Sequence, residues 1–249
     1  MTLRFLSVLW AASVISAAGA ELSSSAGITE PILDATLSSP VAGILVSHKF
    51  KEGEFVKKDQ PIIELDRRQE ELEANRRAVV LPSLLADAEG TRSLFRQTNS
   101  SVSKEMVDKK QADYDVARLE HELAEELVRK RLIVAPFDGY VAEIFLKVGE
   151  ACQIQQPVVR LVDTRRCVFV SNLDGKLGQG LKVGQKIDLQ IDAGAEPVRF
   201  TGTISFISPV VDPASGLLKV KVLFENPDNK IRPGVAGKMF FEEGKNARP

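Results

Sequence analysis

At 249 residues, 44% hydrophobic and 27% charged, the chain has the make-up of folded, soluble protein and the length for one large or two to three small domains. Its 33 basic and 34 acidic side chains nearly cancel, which points away from nucleic acid and from anionic lipid. Two histidines and two cysteines, in no nucleophile or metal-ligand spacing, give no support to catalysis.

The first element in chain order is an export signal. Arg4 supplies a positive start, Phe5 to Ile15 is apolar apart from Ser7 and Ser13, and Ala18-Gly19-Ala20 is an A-x-A cleavage site. The apolar run is about half of the roughly 20 residues that span a bilayer, so residues 1–20 are expected to be removed and the mature chain to begin at Glu21. No cysteine lies near the cut, which speaks against a lipid-anchored start. Export permits a disulfide, but Cys152 and Cys167 are too few for a framework and suit a buried apolar role as well. Residues 21–36 form an N-terminal segment.

Next comes a repeat. Ser39-Pro40-Val41-Ala42-Gly43-Ile44 returns 96 residues later as Ala135-Pro136-Phe137-Asp138-Gly139-Tyr140, without a gap. Lys51, Gly53, Glu54, Gln60, Pro61 and Leu65 recur as Lys147, Gly149, Glu150, Gln156, Pro157 and Leu161. Each copy reads as short strands between turns. Gly43 and Gly139 have Pro-x-x-Gly turn spacing, and Gly53-Glu54 and Gly149-Glu150 mark a second turn. Pro61 and Pro157 should open strands or lie on an edge. One copy has too few strands to bury a face, so 37–65 and 133–163 are expected to be two halves of one small sandwich.

Between the halves, 66–132 changes to helical period. Asp66 with Gln69 resembles a capping box, and the chain to about Gln97 is rich in Arg, Glu, Leu and Ala. Thr98-Asn99-Ser100-Ser101 breaks it, and Ser103 is an N-cap for a second helix with Glu105 in its first turn. Ala112, Val116, Leu119, Leu123 and Leu127 share one stripe. Glu105 with Lys109, Glu125 with Arg129 and Glu126 with Lys130 are i,i+4 pairs. Two helices of about 30 residues, each about 45 Å long, must fold back as an antiparallel hairpin. Pro82 is expected to kink or break the first near Ala78.

Residues 164–242 read as antiparallel β. Phe200, Gly202, Ile204 and Phe206 alternate with Thr201, Thr203 and Ser205, and Leu218, Val220, Val222 and Phe224 alternate with Lys219 and Lys221, giving one buried and one wet face. Asn226-Pro227-Asp228-Asn229 and Pro233-Gly234 are turn chemistry, so a small barrel is expected. Residues 243–249 are a tail.

The two Pro-x-x-Gly halves around a helical hairpin, followed by Val183-Gly184-Gln185, Gly202-Thr203-Ile204-Ser205, Val211-Asp212-Pro213-Ala214-Ser215, Asn226-Pro227-Asp228 and Arg232-Pro233-Gly234, resemble the periplasmic adaptor subunits, or membrane fusion proteins of the HlyD-like family, of tripartite efflux pumps. The resemblance implies a mainly β fold: a split lipoyl-like (barrel-sandwich hybrid) domain carrying the hairpin, then a small β-barrel. It implies a periplasmic location and two partners, an inner-membrane transporter and an outer-membrane channel, with self-association into a ring of six. A resistance-nodulation-division (RND) transporter is favoured, because adaptors for type I secretion usually keep an N-terminal membrane span and a longer coiled coil. The family's channel-engaging tip is an Arg, a Leu four residues later and a Ser seven after that. Arg92 and Ser103 match; the Leu position holds Arg96, with Leu94 and Phe95 beside it. Many members assemble a membrane-proximal domain from both chain ends, for which this sequence has few residues.

True lipoyl carriers hold a modifiable lysine at the link between halves, the place the hairpin occupies here, so no cofactor is expected. His121 lies among charged helical residues and His48 in a strand, and the soft-ligand clusters of a copper or silver adaptor are lacking. The alternatives are a lipoyl-fold carrier or ligand-binding module, and a stand-alone periplasmic scaffold.

Overall fold

A computed structural model describes residues 22–97, 102–194 and 196–242. The signal segment with its cut after Ala20, the break at 98–101 and the 243–249 tail lie outside the described residues. The chain divides into two compact units, Pro31–Arg166 with Asn226–Asn229, and Cys167–Glu225 with the terminal strands that flank it in sequence.

The first unit is built on the repeat. Its strands are β2 (Gly43–His48), β3 (Phe55–Val56), β4 (Pro61–Leu65), β5 (Leu132–Val134), β6 (Gly139–Ile144), β7 (Ala151–Cys152) and the start of β8 (Pro157–Asp174). Strands β2, β3 and β4 begin at 43, 55 and 61, and β6, β7 and β8 at 139, 151 and 157, so the offset of 96 holds throughout. The pairing repeats as well. Leu45↔Leu65 and His48↔Ile63 in β2–β4 return as Val141↔Leu161 and Ile144↔Val159 in β6–β8, each with an irregularity in between. The short strands are exchanged: β3 of the first half pairs with β6 of the second, and β7 of the second with β2 of the first. Each sheet therefore contains strands of both halves, which makes this one split lipoyl-like domain and not two in tandem. Leu45, Val56, Ile62, Ile63, Leu65, Val158, Val159 and Leu161 fill a common core with Cys152.

Four of the recurring polar residues have a physical reason. In each turn the N–H of the first residue donates to the side chain of the fourth: Lys51 N to Glu54 Oε2 at 2.8 Å, Lys147 N to Glu150 Oε2 at 3.0 Å, Lys57 N to Gln60 Oε1 at 3.0 Å and Gln153 N to Gln156 Oε1 at 2.8 Å. The third residue has positive φ, which Gly53 (86°) and Gly149 (91°) adopt without strain. Gly43 and Gly139, by contrast, open strands β2 and β6 instead of forming the tight turn that their spacing predicts. What these two positions need is room: a Cβ on Gly139 would lie 2.6 Å from the Val162 carbonyl oxygen, and one on Gly43 would lie 2.7 Å from Arg131 Nη1. Pro40 and Pro136 sit in the bends just before them, and Pro61 and Pro157 open β4 and β8.

The hairpin is α1 (Arg68–Gln97) and α2 (Lys104–Arg129), inserted between β4 and β5. Asp66 Oδ1 accepts from the Arg68 N–H at 3.2 Å. Ser103 is the N-cap of α2, its hydroxyl oxygen accepting from Met106 N at 3.2 Å. Helix α1 runs through Pro82 without a break, a break being the stronger of the two outcomes, kink or break, expected there. The missing N–H costs one ladder bond, and the partner helix packed alongside holds the segment helical.

The second unit is a closed barrel. Strand β1 (Leu22–Ser38), β9 (Lys186–Ile191), β10 (Val198–Ile207), β11 (Leu217–Glu225) and β12 (Ala236–Glu242) join the later part of β8 in the order β1-β12-β9-β10-β11-β8, with β1 pairing back to β8. A short helix, α3 (Gly175–Gly178), follows β8. The N-terminal segment thus supplies a barrel strand, pairing Ser23↔Phe241 to Ile28↔Ala236. Gly27 permits it, since a Cβ there would meet the Val170 carbonyl oxygen at 2.3 Å. Leu218, Val220, Val222 and Phe224 are buried as their alternation predicts, with Cys167 and Phe169 in the same core. Both cysteines are buried, one in each core. Phe206 departs from the expected pattern. A register shift in the β10–β11 pairing between Ile204 and Phe206 inserts one residue, so Ile204 is buried while Phe206 turns outward.

Candidate functional site

The helical hairpin carries two kinds of face. Steps of three and four residues run through Ala74, Arg77, Leu81, Leu84, Ala88, Thr91 and Phe95 on α1, and through Val107, Lys110, Tyr114, Ala117, His121, Ala124 and Val128 on α2, all of them buried or half-buried. That is the heptad spacing of an antiparallel two-helix coiled coil. Alanines at 74, 88 and 124 let the helices approach closely. Polar links cross the seam: Arg77 Nη1 donates to Glu120 Oε2 at 2.8 Å, Lys110 Nζ to Asp87 Oδ2 at 3.1 Å and Arg92 Nη2 to Gln111 Oε1 at 2.7 Å. His121 Nδ1 lies 3.2 Å from the Ala74 carbonyl oxygen. A carbonyl only accepts, so this nitrogen carries the proton.

The apolar stripe read from the sequence lies elsewhere. Val116, Leu119, Leu123 and Leu127 are exposed by 55, 55, 63 and 43%, and at 100° per residue they sit about opposite the seam. Leu72 and Val79 of α1, seven residues apart, are likewise exposed, by 64 and 78%. On α2 the seam is thus the less apolar face and Leu119, Leu123 and Leu127 stand outward, whereas on α1 the seam holds Leu81, Leu84 and Phe95 beside its alanines. Sequence periodicity showed the outer stripe of α2 and missed the seam, whose heptad positions mix small, apolar and polar residues.

At the tip, the Ser103 hydroxyl is engaged in capping. Arg92 lies opposite Gln111, eight residues along α2 from Ser103, or about 12 Å of helix. The structure thus puts the two motif residues on the outer turns of the two helices but not in contact. Leu94, next to the motif's missing leucine, is exposed, whereas Phe95 faces the seam.

At the root, Arg131 holds the hairpin to its domain. Its Nη1 donates to the Ala42 carbonyl oxygen at 2.9 Å, and its Nη2 pairs with Glu70. Further along, the Arg76 and Arg77 guanidiniums that hydrogen-bond Glu73 hold its carboxyl down to about 2. Arg129 pairs with Glu126 at 2.7 Å more closely than with Glu125 at 4.0 Å. Among the described residues no group of three or more His, Cys, Asp or Glu is placed to hold a metal ion. No described helix is long and apolar enough to cross a membrane.

Comparison with known proteins is consistent with this arrangement. The family model for the RND MFP (membrane fusion protein) barrel-sandwich hybrid domain matches residues 34–164, and that for the CusB-like β-barrel domain matches residues 175–245. An uncharacterised protein of Haemophilus influenzae is 27% identical over 223 residues, covering 86% of this chain and 55% of its own length. The solvent efflux pump periplasmic linker SrpA of Pseudomonas putida is 24% identical over 238 residues, covering 88% and 60%. The chain thus spans a little over half the length of these curated relatives. Among solved structures, a MacA-MexA chimeric protein containing the Pseudomonas aeruginosa MexA α-hairpin domain superposes with a TM-score of 0.76 at 20% identity, covering 90% of this chain and 83% of that one. At that identity the likeness speaks for the fold.

Proposed function

Because the chain belongs to the RND membrane fusion protein family, we propose that it is the periplasmic adaptor of an efflux pump, joining an inner-membrane transporter to an outer-membrane channel. The carrying observation is the hairpin: a link between lipoyl halves that has become a coiled coil about 45 Å long, too long and too charged to serve as core. Such an element spaces and bridges, and it performs no catalysis.

The same reading gives the outer aliphatic stripe a task. Neighbouring copies pack hairpin against hairpin, with Leu119 and Leu123 of one meeting Leu72 and Val79 of the next, and a ring of six is the arrangement we propose. Multivalency then compensates for weak single contacts, because each tip is presented at high effective concentration. At the tip, Arg92 and Ser103 are the proposed channel contacts, with Leu94 in the apolar role. The transporter is of the RND type on the strength of the family.

Affinity purification of the tagged chain from cells treated with a membrane-permeant crosslinker tests the assembly. An adaptor brings down both an RND transporter and an outer-membrane channel. Recovery of neither partner, with the chain present at normal level, would overturn the proposal in favour of a free periplasmic scaffold.

A further inference from the structure

The outward turn of Phe206 creates a second surface. Regular alternation would send Ile204 and Phe206 to the same side, and the extra residue in β10 leaves Ile204 1% and Phe206 40% exposed. A bulge that re-aims a large side chain into water gives up its burial, which calls for a use. Phe206 lines a groove of about 600 Å³ on the outer face of the barrel unit. Val210 and Leu217 supply further apolar wall, and Lys219 and Lys221 stand along one side. Both lysines point outward of necessity, because Leu218, Val220 and Val222 between and beside them are buried.

The groove is preformed. In the loop that roofs it, the Asp212 N–H donates to the Leu217 carbonyl oxygen at 2.9 Å and the Gly216 N–H to the Asp212 carbonyl oxygen at 2.8 Å. The one carboxylate lining the groove among the described residues, that of Asp212, accepts from Ala214 N at 2.8 Å and Ser215 N at 3.4 Å. With that negative charge tied into its own loop, the two lysines set the sign of the rim.

We propose that this groove is a docking site for a protein segment that presents an apolar side chain flanked by carboxylates. A concave apolar floor beside two ammonium groups complements such a segment in shape and charge, whereas a flat lipid surface cannot fill it. The proposal gives the barrel a partner surface for a segment of that chemistry, and it does not rest on the adaptor reading.

The test uses the full mature chain, methyl-labelled for NMR, and two capped hexapeptides, DELFED and its basic counterpart KKLFKK. The acidic peptide is expected to shift the methyl signals of Val210 and Leu217 in a saturable, salt-sensitive way, and the basic one to leave them in place. Lys219→Glu with Lys221→Glu should weaken the acidic peptide about tenfold and admit the basic one. Phe206→Ser, a change at an exposed position, should weaken it with the melting temperature unchanged. No shift at millimolar peptide, or equal shifts with both peptides, overturns the proposal. So do two other occupants: vesicles with anionic phospholipid shifting these signals in place of the peptide, or a dimer in sedimentation that Phe206→Ser abolishes. The peptides report on the groove alone, so their failure leaves the adaptor reading intact, and a failed tip crosslink leaves the groove intact.

Discussion

Asp163 is nearly fully buried, and its carboxylate takes three donors from Arg165: the backbone N–H at 3.1 Å, Nε at 2.9 Å and Nη2 at 2.8 Å. The side-chain bond to Arg165 lowers its pKa below the ordinary 3.8, outweighing burial, which acts in the other direction. Arg165 in turn lies over the Phe55 ring, 5.5 Å from its centroid. A depressed folded pKa means that the contribution is complete at neutral pH and is lost as pH falls below 3.8 and through the folded value. Asp163→Asn is therefore expected to cost about 1–2 kcal/mol at neutral pH, discounted because Arg165 is half exposed. In urea titrations the gap from wild type should shrink as pH falls below 3.8; a gap independent of pH would deny the charge its role. Gly202→Ala probes packing. Its Cβ would meet Val222 Cγ1 at 2.5 Å and the Leu223 carbonyl oxygen at 2.9 Å, so a loss of about 1–3 kcal/mol is expected in the same titration. The turn glycines at 53 and 149 were legible in the sequence because positive φ has a residue signature. The Glu residues beside them, and Gln60 and Gln156 in the second pair of turns, were visible only as a recurrence, since a side chain closing its own turn leaves no periodic trace.

Among the elements, the hairpin shows where periodicity stops being informative. Its existence, its length and the Ser103 cap were all legible. Which stripe faces the partner helix was not, because two faces of α2 both repeat at heptad steps, and the less apolar one forms the seam. On α2 this reverses the ordinary rule that the most apolar face is buried, while α1 still turns Leu81, Leu84 and Phe95 to the seam between its small residues. Two outcomes follow. Leu119→Lys with Leu123→Lys should leave the melting temperature within about a degree, since exposed positions contribute little, yet abolish self-association in sedimentation. A large loss of stability instead would place these leucines inside the fold. Pro82→Ala should stabilise α1 by about 1–3 kcal/mol, read by circular dichroism on heating; an unchanged midpoint would mean that the helix had already absorbed the proline's cost.

At the scale of the whole chain, the repeat at offset 96 was decisive because it was ungapped, and the structure turns it into a pairing scheme in which each half completes the other's sheet. The barrel's β1 strand escaped notice, since Leu22-Ser23-Ser24-Ser25-Ala26-Gly27 is polar, small and rich in serine. It pairs by its backbone and by the space that Gly27 leaves, neither of which composition reports. Phe206 misled for the opposite reason: its alternation was regular, and a single inserted residue reversed it. What the hairpin reaches is the central matter. A photoreactive amino acid at position 104, exposed and adjacent to the intact Ser103 cap, should on irradiation in cells capture an outer-membrane channel protein, and the product should vanish when the channel gene is deleted. Labelling of inner-membrane or soluble periplasmic proteins alone from that position would contradict the bridging role.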